Sequence, residues 1–515
     1  MKSLKAILIC IFCLIILIPD SGSQEKVYVD SVKLKRRLEW FQNQKFGLLI
    51  EFGIWAPWGI TESWPLNQEN YSFHNHPNTW EFDFDVYREA YWNLSKVFYP
   101  HHFDENQWAD IAKEAGMKYI IFYAKHHDGF CMYDTKLTDY KVTSPECPYS
   151  DHPNPDITER LSTAFRNKDL GVGIAFSYAD WHSPYFWKPD IPAPDKYMNY
   201  DIEKEPQRWQ NFIDFYISQV KELMTGYGKI DILWFDSGWL AGSYYVNKWC
   251  RWKISDKGYM KIDSMARMVR RYQPEILIVN RYGDIHEDYE TPERTIPEEP
   301  LGVPWETCES IADFWSFVPY DNYRSSQELI YMLVDIISKG GNFLLSVPPM
   351  PNGRLTPPAV ERLKEMGEWL EVNGDAIYGT RLYSMTNYKA NVSADNILGH
   401  FGNIYFTKKK NHVYAIVLDD KQTEQNPGAL THYIRLKNVL EENGKKNEEN
   451  RVKVKHYMNI PDVKPVNGSK IYMLGVDEPL EWEVAENGVN IYVPYQVIVS
   501  PPCKYAYSFQ IQVDE

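Results

Sequence analysis

The chain repeatedly runs a short apolar stretch into a polar cluster and then turns amphipathic. Residues 46–53 carry Glu51 near their end, 119–124 run into Lys125-His126-His127-Asp128, and 172–176 lead to Asp180-Trp181-His182. Residues 230–233 are followed by Asp236, 276–279 by Arg281 and Asp284, and a segment near 303–307 contains Glu306. Apolar runs of this length read as buried strands. The intervening segments 104–115, 157–168, 205–225, 258–272, 326–339 and 357–372 carry helical apolar spacing or helix start and stop signals. Alternating strands and helices give a parallel sheet with helical crossovers. A doubly wound sheet would gather its polar strand ends at one switch point. Polar clusters after nearly every strand fit a closed (β/α)8-type barrel better, with functional residues at the C-terminal strand ends.

At 515 residues the chain exceeds one ordinary domain. The pattern changes near residue 380, after which 404–407, 412–418, 432–436, 470–474, 480–484, 489–493 and 505–512 read as short strands, with a polar loop at 441–450. This predicts a barrel over 24–380 and a C-terminal β-sandwich over 381–515. Residues 1–23 read as a secretory signal peptide: Lys2 and Lys5 precede an apolar run from Ala6 to Pro19 and a small polar exit. The expectation is an exported protein, periplasmic or extracellular, with no membrane attachment after cleavage. A formal charge of −15 disfavours nucleic acid and anionic membrane surfaces as partners. No nucleotide-binding glycine motif and no HxxxH or H-E-x-x-H pair is present, so neither a cofactor nor a metal is expected.

Asp236, flanked by Trp234 and Trp239, reads either as a helix N-cap or as the reactive carboxylate of the barrel top. The other polar strand ends favour the second reading. His126 and His127 would face opposite sides of an ideal strand, so both reach one site only where the strand has ended or bulges. Arg281 needs a multiply accepting partner, either a substrate, a site carboxylate or a loop acid such as Asp284. A second carboxylate could come from Glu293, one of the acids crowded between Asp284 and Glu299, or from Glu306 in its more apolar setting. A long aromatic excursion over 54–100 brings Glu62, Trp64, His74 and His76. Acids on barrel strand ends, abundant aromatics and no cofactor motif together point to hydrolysis by a carboxylate pair.

These residues sit in motifs that resemble the α-L-fucosidases of glycoside hydrolase family 29. The motifs are KFGLLIEFG (45–53), KHHDGF (125–130), DWH (180–182), LWFDSGW (233–239), NRYGD (280–284), TPE (291–293), WETC (305–308), SKGGNFLL (338–345) and GDAIYGTR (374–381). YMLG (472–475) and YAYSFQI (505–511) extend the likeness into the C-terminal segment. The resemblance implies a catalytic barrel, a β-sandwich, and retaining, metal-free hydrolysis of α-L-fucosyl residues from fucosylated glycans. It implies Asp236 as nucleophile and Glu293 as acid/base, with Glu306 as the rival. It implies His126, His127 and Arg281 as sugar-binding residues and matches Glu62 and Trp64 to a sugar-contacting Glu–Trp pair. Beside these, Trp234 and Trp315 are expected against the substrate, and Glu51 is expected to bind a sugar hydroxyl or to pair with His126 or His127. One position departs: the family's first-strand motif usually carries histidine where this chain has Glu51. That substitution keeps a related α-L-glycosidase, for example on α-L-galactosides, as an alternative. A non-catalytic glycan-binding protein on the same scaffold is the alternative from another class, and the retained Asp236 argues against it.

Overall fold

The computed structural model describes residues 31–67, 84–240, 259–279, 281, 287–389, 403–418, 435–440 and 452–514. The expected signal peptide, His74, His76, Asp284 and the polar loop at 441–450 lie outside the described residues. The first part of the chain runs α1 (Ser31–Gln44), β1 (Phe46–Ile50), α2 (Phe84–Trp92), α3 (Glu105–Glu114), β2 (Tyr119–Lys125), α4 (Ile157–Asn167) and β3 (Gly171–Ser177). It continues through α5 (Pro206–Gly226), β4 (Ile232–Asp236), α6 (Ile262–Tyr272), β5 (Leu277–Val279), β6 (Glu306–Ser310), α7 (Ser326–Ser338), β7 (Asn342–Ser346) and α8 (Pro357–Asn373). Local chemistry sets the helix starts. Asp104 accepts the backbone N–H groups of Asn106 and Gln107, and Thr356 accepts that of Ala359 ahead of α8.

The seven strands pair in parallel in the order β5-β4-β3-β2-β1-β7-β6. Residues 288–294 span the remaining gap. The Asp288 N–H donates to the Ile278 carbonyl on one side (2.9 Å). On the other, Glu306 N–H donates to the Glu290 carbonyl (2.9 Å) and Arg294 N–H to that of Cys308 (3.0 Å). Parallel bridges join Glu290 to Trp305 and Glu293 to Cys308. The acidic stretch is thus an irregular eighth stave, and the sheet closes into a (β/α)8-type barrel. The strand expected at 303–307 begins later, at Glu306, because Pro304 has no N–H to give to a ladder.

Side chains alternate across the barrel wall. Leu49, Ile121, Tyr123, Ala175, Ile232, Trp234, Leu277, Val279, Cys308 and Leu344 form the interior cluster. Leu48, Ile50, Phe122, Ile174, Phe176, Leu233, Phe235 and Ile278 belong to the cluster between strands and helices. Counting on by two from Leu49, Trp234 and Val279 brings Glu51, Asp236 and Arg281 into one inward layer at the C-terminal rim.

Beyond the barrel come β8 (Arg381–Lys389), β9 (Asn403–Lys409), β10 (His412–Leu418), β11 (Arg435–Leu440), β12 (Val452–Ile460), β13 (Ile471–Met473), β14 (Glu481–Ala485), β15 (Gly488–Tyr492), the short helix α9 (Tyr495–Val499) and β16 (Ala506–Gln512). They form two antiparallel sheets, β13-β16-β10-β9-β8 and β11-β12-β15-β14. Phe406, Val413, Val417 and Phe509 from one meet Met458, Ile460 and Ile491 from the other, giving a β-sandwich. Two strands, β8 and β12, were not expected from the sequence, and the one expected at 432–436 lies at Arg435–Leu440. No helix among the described residues is long and apolar enough to cross a membrane.

Candidate active site

A cavity of about 130 Å³ opens at the C-terminal rim of the barrel, with Asp236, the last residue of β4, on its wall. Drug-sized sites run to roughly 300–1,000 Å³, so this one suits a single sugar ring. Asp236 Oδ1 accepts from Arg281 Nη1 (2.9 Å) and from the Ser237 N–H (2.7 Å). Its Oδ2 accepts from the Tyr123 hydroxyl (2.9 Å). Burial opposes the Asp236 charge, but His127, Arg281, His126 and the Ser237 N–H hold its carboxyl well below the usual carboxylate range. It is an anion at neutral pH.

Arg281 stands two residues past the last interior side chain of β5, in a left-handed backbone conformation with φ 63°. Its guanidinium lies 4.4 Å over the Trp234 ring and hydrogen-bonds both Asp236 and Glu293. Glu293 comes from the irregular stave, so backbone bonds to β6 fix it over the rim. It is not the tip of a free loop. The 288–294 segment explains how an acid in a strongly polar stretch reaches a buried arginine.

Both histidines reach the site because β2 bulges between Tyr123 and Lys125 and ends there. His126 Nε2 lies 3.8 Å and His127 Nε2 3.6 Å from Asp236 Oδ2. His126 Nδ1 is held by Ser63 Oγ, and His127 Nδ1 by Ser177 and Ser237. Neither imidazole pairs with Glu51. Burial lowers both pKa values, that of His127 to about 4. The rings are therefore neutral, and each turns its Nε2 toward Asp236 Oδ2. His126, His127 and Asp236 each offer one atom within 4.8 Å of the others, which could also hold a metal ion. The same three groups suit the hydroxyls of a sugar.

Glu51 and Glu62 complete the acidic wall. Glu51 follows β1, is buried, and accepts no hydrogen bond from the described residues. Burial first, then Glu62, Asp236 and Glu293, raise its pKa well above normal against the pull of Arg281. Glu62 is 1% exposed with both carboxyl oxygens unpaired, and burial pushes its pKa up to about 8. Trp64 and Trp315 flank the opening, Trp64 edge-on to His127 at 5.0 Å and Trp315 under Arg294 at 4.5 Å.

Comparison with known proteins places this arrangement. The family model described as alpha-L-fucosidase matches residues 18–375, and the alpha-L-fucosidase C-terminal domain matches 400–512. The chain belongs to the α-L-fucosidase family. It is 24% identical to an alpha-L-fucosidase of Branchiostoma floridae, covering 94% of each chain. It is 25% identical to the plasma alpha-L-fucosidase of Homo sapiens, over 94% of this chain and 91% of that one. Among solved structures, alpha-L-fucosidase isoenzyme 1 from Paenibacillus thiaminolyticus superposes with a TM-score of 0.67 at 25% identity, over 94% of this chain and all of that one.

In this α-L-fucosidase-family chain the rim brings together Asp236, Glu293, Glu51, Glu62, Trp64, His126, Trp234, Arg281 and Trp315, with His127 beside Asp236, but not Glu306. Glu306 is the first residue of β6 and lies at the opposite, N-terminal end of the barrel interior. There it accepts from Tyr119, the first residue of β2, and from Tyr289 (3.4 Å). Burial pushes its pKa up to about 7. Its parity is inward, as expected of a site acid, but it sits at the wrong end of its strand. Of the DWH motif, Asp180 pairs with buried Lys125 (3.1 Å), and His182 stacks on Tyr140. Sequence reasoning missed Tyr123, Ser63, Ser177, Ser237 and Lys196 around the cavity. Tyr123 alone carried a legible signal, because it shares the inward parity of Tyr119 and Ile121.

Proposed function

We propose that this protein is an exo-acting, retaining α-L-fucosidase, with Asp236 as nucleophile and Glu293 as acid/base. The observation that carries the reading is Arg281, which bonds the two carboxylates through neighbouring nitrogens. One guanidinium and two hydrogen bonds limit their separation to a reach that includes the ~5–5.5 Å of retaining pairs. Asp236 attacks the anomeric carbon while the bond from that carbon to the leaving oxygen breaks. Glu293 supplies the leaving oxygen with its proton, then takes one from the water that cleaves the glycosyl ester. The two imidazoles, Glu51, Glu62 and the indoles of Trp64, Trp234 and Trp315 hold the sugar. A cavity of about 130 Å³ at the barrel rim, with room for one ring, supports removal of terminal residues.

The same reading takes residues 1–23 as a leader for export, 24–380 as the catalytic unit and 381–515 as the sandwich. Support comes from the basic-apolar composition of the leader and from β8, which opens the antiparallel sheet at Arg381.

The test pairs two variants on two substrates. Asp236→Asn should stay folded and lose on the order of 10³-fold or more in kcat on every fucoside. Glu293→Ala should keep rapid glycosylation by an aryl fucoside with a good leaving group, lose activity on natural linkages, and regain turnover with azide. Near-normal activity in Asp236→Asn, or no leaving-group dependence in Glu293→Ala, would overturn the assignments. Fucoside binding without hydrolysis by the unmodified protein would leave the glycan-binding alternative standing.

A further inference from the structure

Asp236 is held unequally at its two oxygens. Oδ1 has two direct donors, the Arg281 guanidinium and the Ser237 N–H. Oδ2 has one, the Tyr123 hydroxyl at 2.9 Å, since the histidine Nε2 atoms stand off at 3.6 and 3.8 Å. The Tyr123 ring is itself wedged: His126 packs edge-on at 4.9 Å and Trp234 edge-on at 6.3 Å. A buried phenol with a fixed ring and one hydrogen bond to a carboxylate sets the plane of that carboxylate.

We propose that Tyr123 is a positioning residue for the nucleophile, holding Asp236 Oδ2 as the oxygen that attacks the anomeric carbon. This rests on the reading of Asp236 given above. Oδ1 keeps Arg281 and the Ser237 N–H as it becomes the ester carbonyl oxygen. Oδ2 spends a lone pair on the new bond to carbon, so its bond from Tyr123 weakens as the ester forms and returns when water releases the sugar. Tyr123 transfers no proton. Burial, Asp236 and Glu51 all raise its pKa well above the ordinary phenol value, so it stays a donor at every working pH.

The deciding variant is Tyr123→Phe, which keeps the ring and removes one oxygen. The expected result is a loss of about 10²-fold in kcat, the scale of a misplaced reacting group, with KM and L-fucose binding little changed. The acid limb of kcat/KM should move to higher pH, because the Asp236 anion has lost a donor. An unchanged kcat and acid limb would overturn the proposal. So would a variant that does not fold, or whose kcat loss is matched by lost L-fucose binding and a lower Tm, since each makes the role structural. Failure here is separable from failure of the nucleophile assignment. If Asp236→Asn is inactive while Tyr123→Phe is normal, only Tyr123 is excluded. If Asp236→Asn is active, both readings fall.

Discussion

Glu62 has no hydrogen-bond partner for either carboxyl oxygen among the described residues, yet it is almost wholly buried. Such a group is tolerable only when protonated or when a ligand bonds it. Its pKa rises from 4.5 to about 8, with burial the main cause. The folded protein therefore binds a proton that the unfolded chain releases. The stability this contributes is complete below pH 4.5 and is lost as the pH rises through about 8. The same sign applies to function: protonated Glu62 can donate to a sugar hydroxyl, and ionised Glu62 can only accept. Between pH 5 and 8 the loss runs at about 1.4 kcal/mol per pH unit, so Glu62→Gln should flatten the decline of Tm over that range. Ionisation of Glu62 should also raise KM above pH 8, and Glu62→Gln should lack that rise. Parallel pH profiles in the two proteins would sink this account. At this scale Asp236 and Arg281 were legible because each interrupts an apolar run. Ser63, Ser177 and Ser237 were not, because a serine acquires its meaning only when folding sets it beside a histidine far away in the chain.

Elements decide where those residues point. The β2 bulge turns His126 and His127 toward Asp236, and the turn after it is packed without slack. Gly129 has φ +82°, and a Cβ there would stand 2.2 Å from Asp180 Oδ1. Asp180 cannot retreat: its carboxylate bonds fully buried Lys125 at 3.1 Å and the Ser183 N–H at 2.9 Å. Gly129→Ala therefore strains the backbone and breaks a buried ion pair, for a loss of about 3–5 kcal/mol. Urea unfolding measures it, and a variant as stable as the parent would show that the turn relaxes freely. The histidine pair was readable from the KHHDGF motif, but the bulge that makes both useful was only a condition for the reading. Regular parallel strands were legible because both faces are buried and the sequence is continuously apolar. The eighth stave was not, since residues 288–294 are mostly polar and hold their place through backbone bonds and Arg281. β12 was missed because VKVKHYMNI alternates lysine with valine next to the polar, Glu- and Asn-rich stretch 441–450, and reads as more of that stretch.

The whole molecule is joined by a sheet with two apolar faces. In β10, Val413, Ala415 and Val417 enter the sandwich core, while Tyr414, Ile416 and Leu418 belong to the core that includes the barrel's outer helices. Tyr405 and Ala506 add to that second face. Hydrogen bonds fasten it: Trp369 Nε1 on α8 donates to the Ala506 carbonyl at 2.9 Å, and Thr407 Oγ1 donates to that of Ala376 at 2.7 Å. Trp369 is 2% exposed, so the sandwich supplies part of the barrel's own burial. A sheet buried on both faces explains the unbroken apolar run of Val413–Leu418, which an isolated sandwich strand would have alternated with polar residues. It follows that the two parts should unfold together. Trp369→Ala should cost about 3–5 kcal/mol and lower a single calorimetric transition, with kcat well below Tm unchanged because the cavity lies at the barrel rim. A fragment of residues 24–380 should fail to reach the parent's Tm, since it bares the α8 face around Trp369. Two separate transitions in the intact chain, or a 24–380 fragment as stable as the full protein, would show that the sandwich is merely attached.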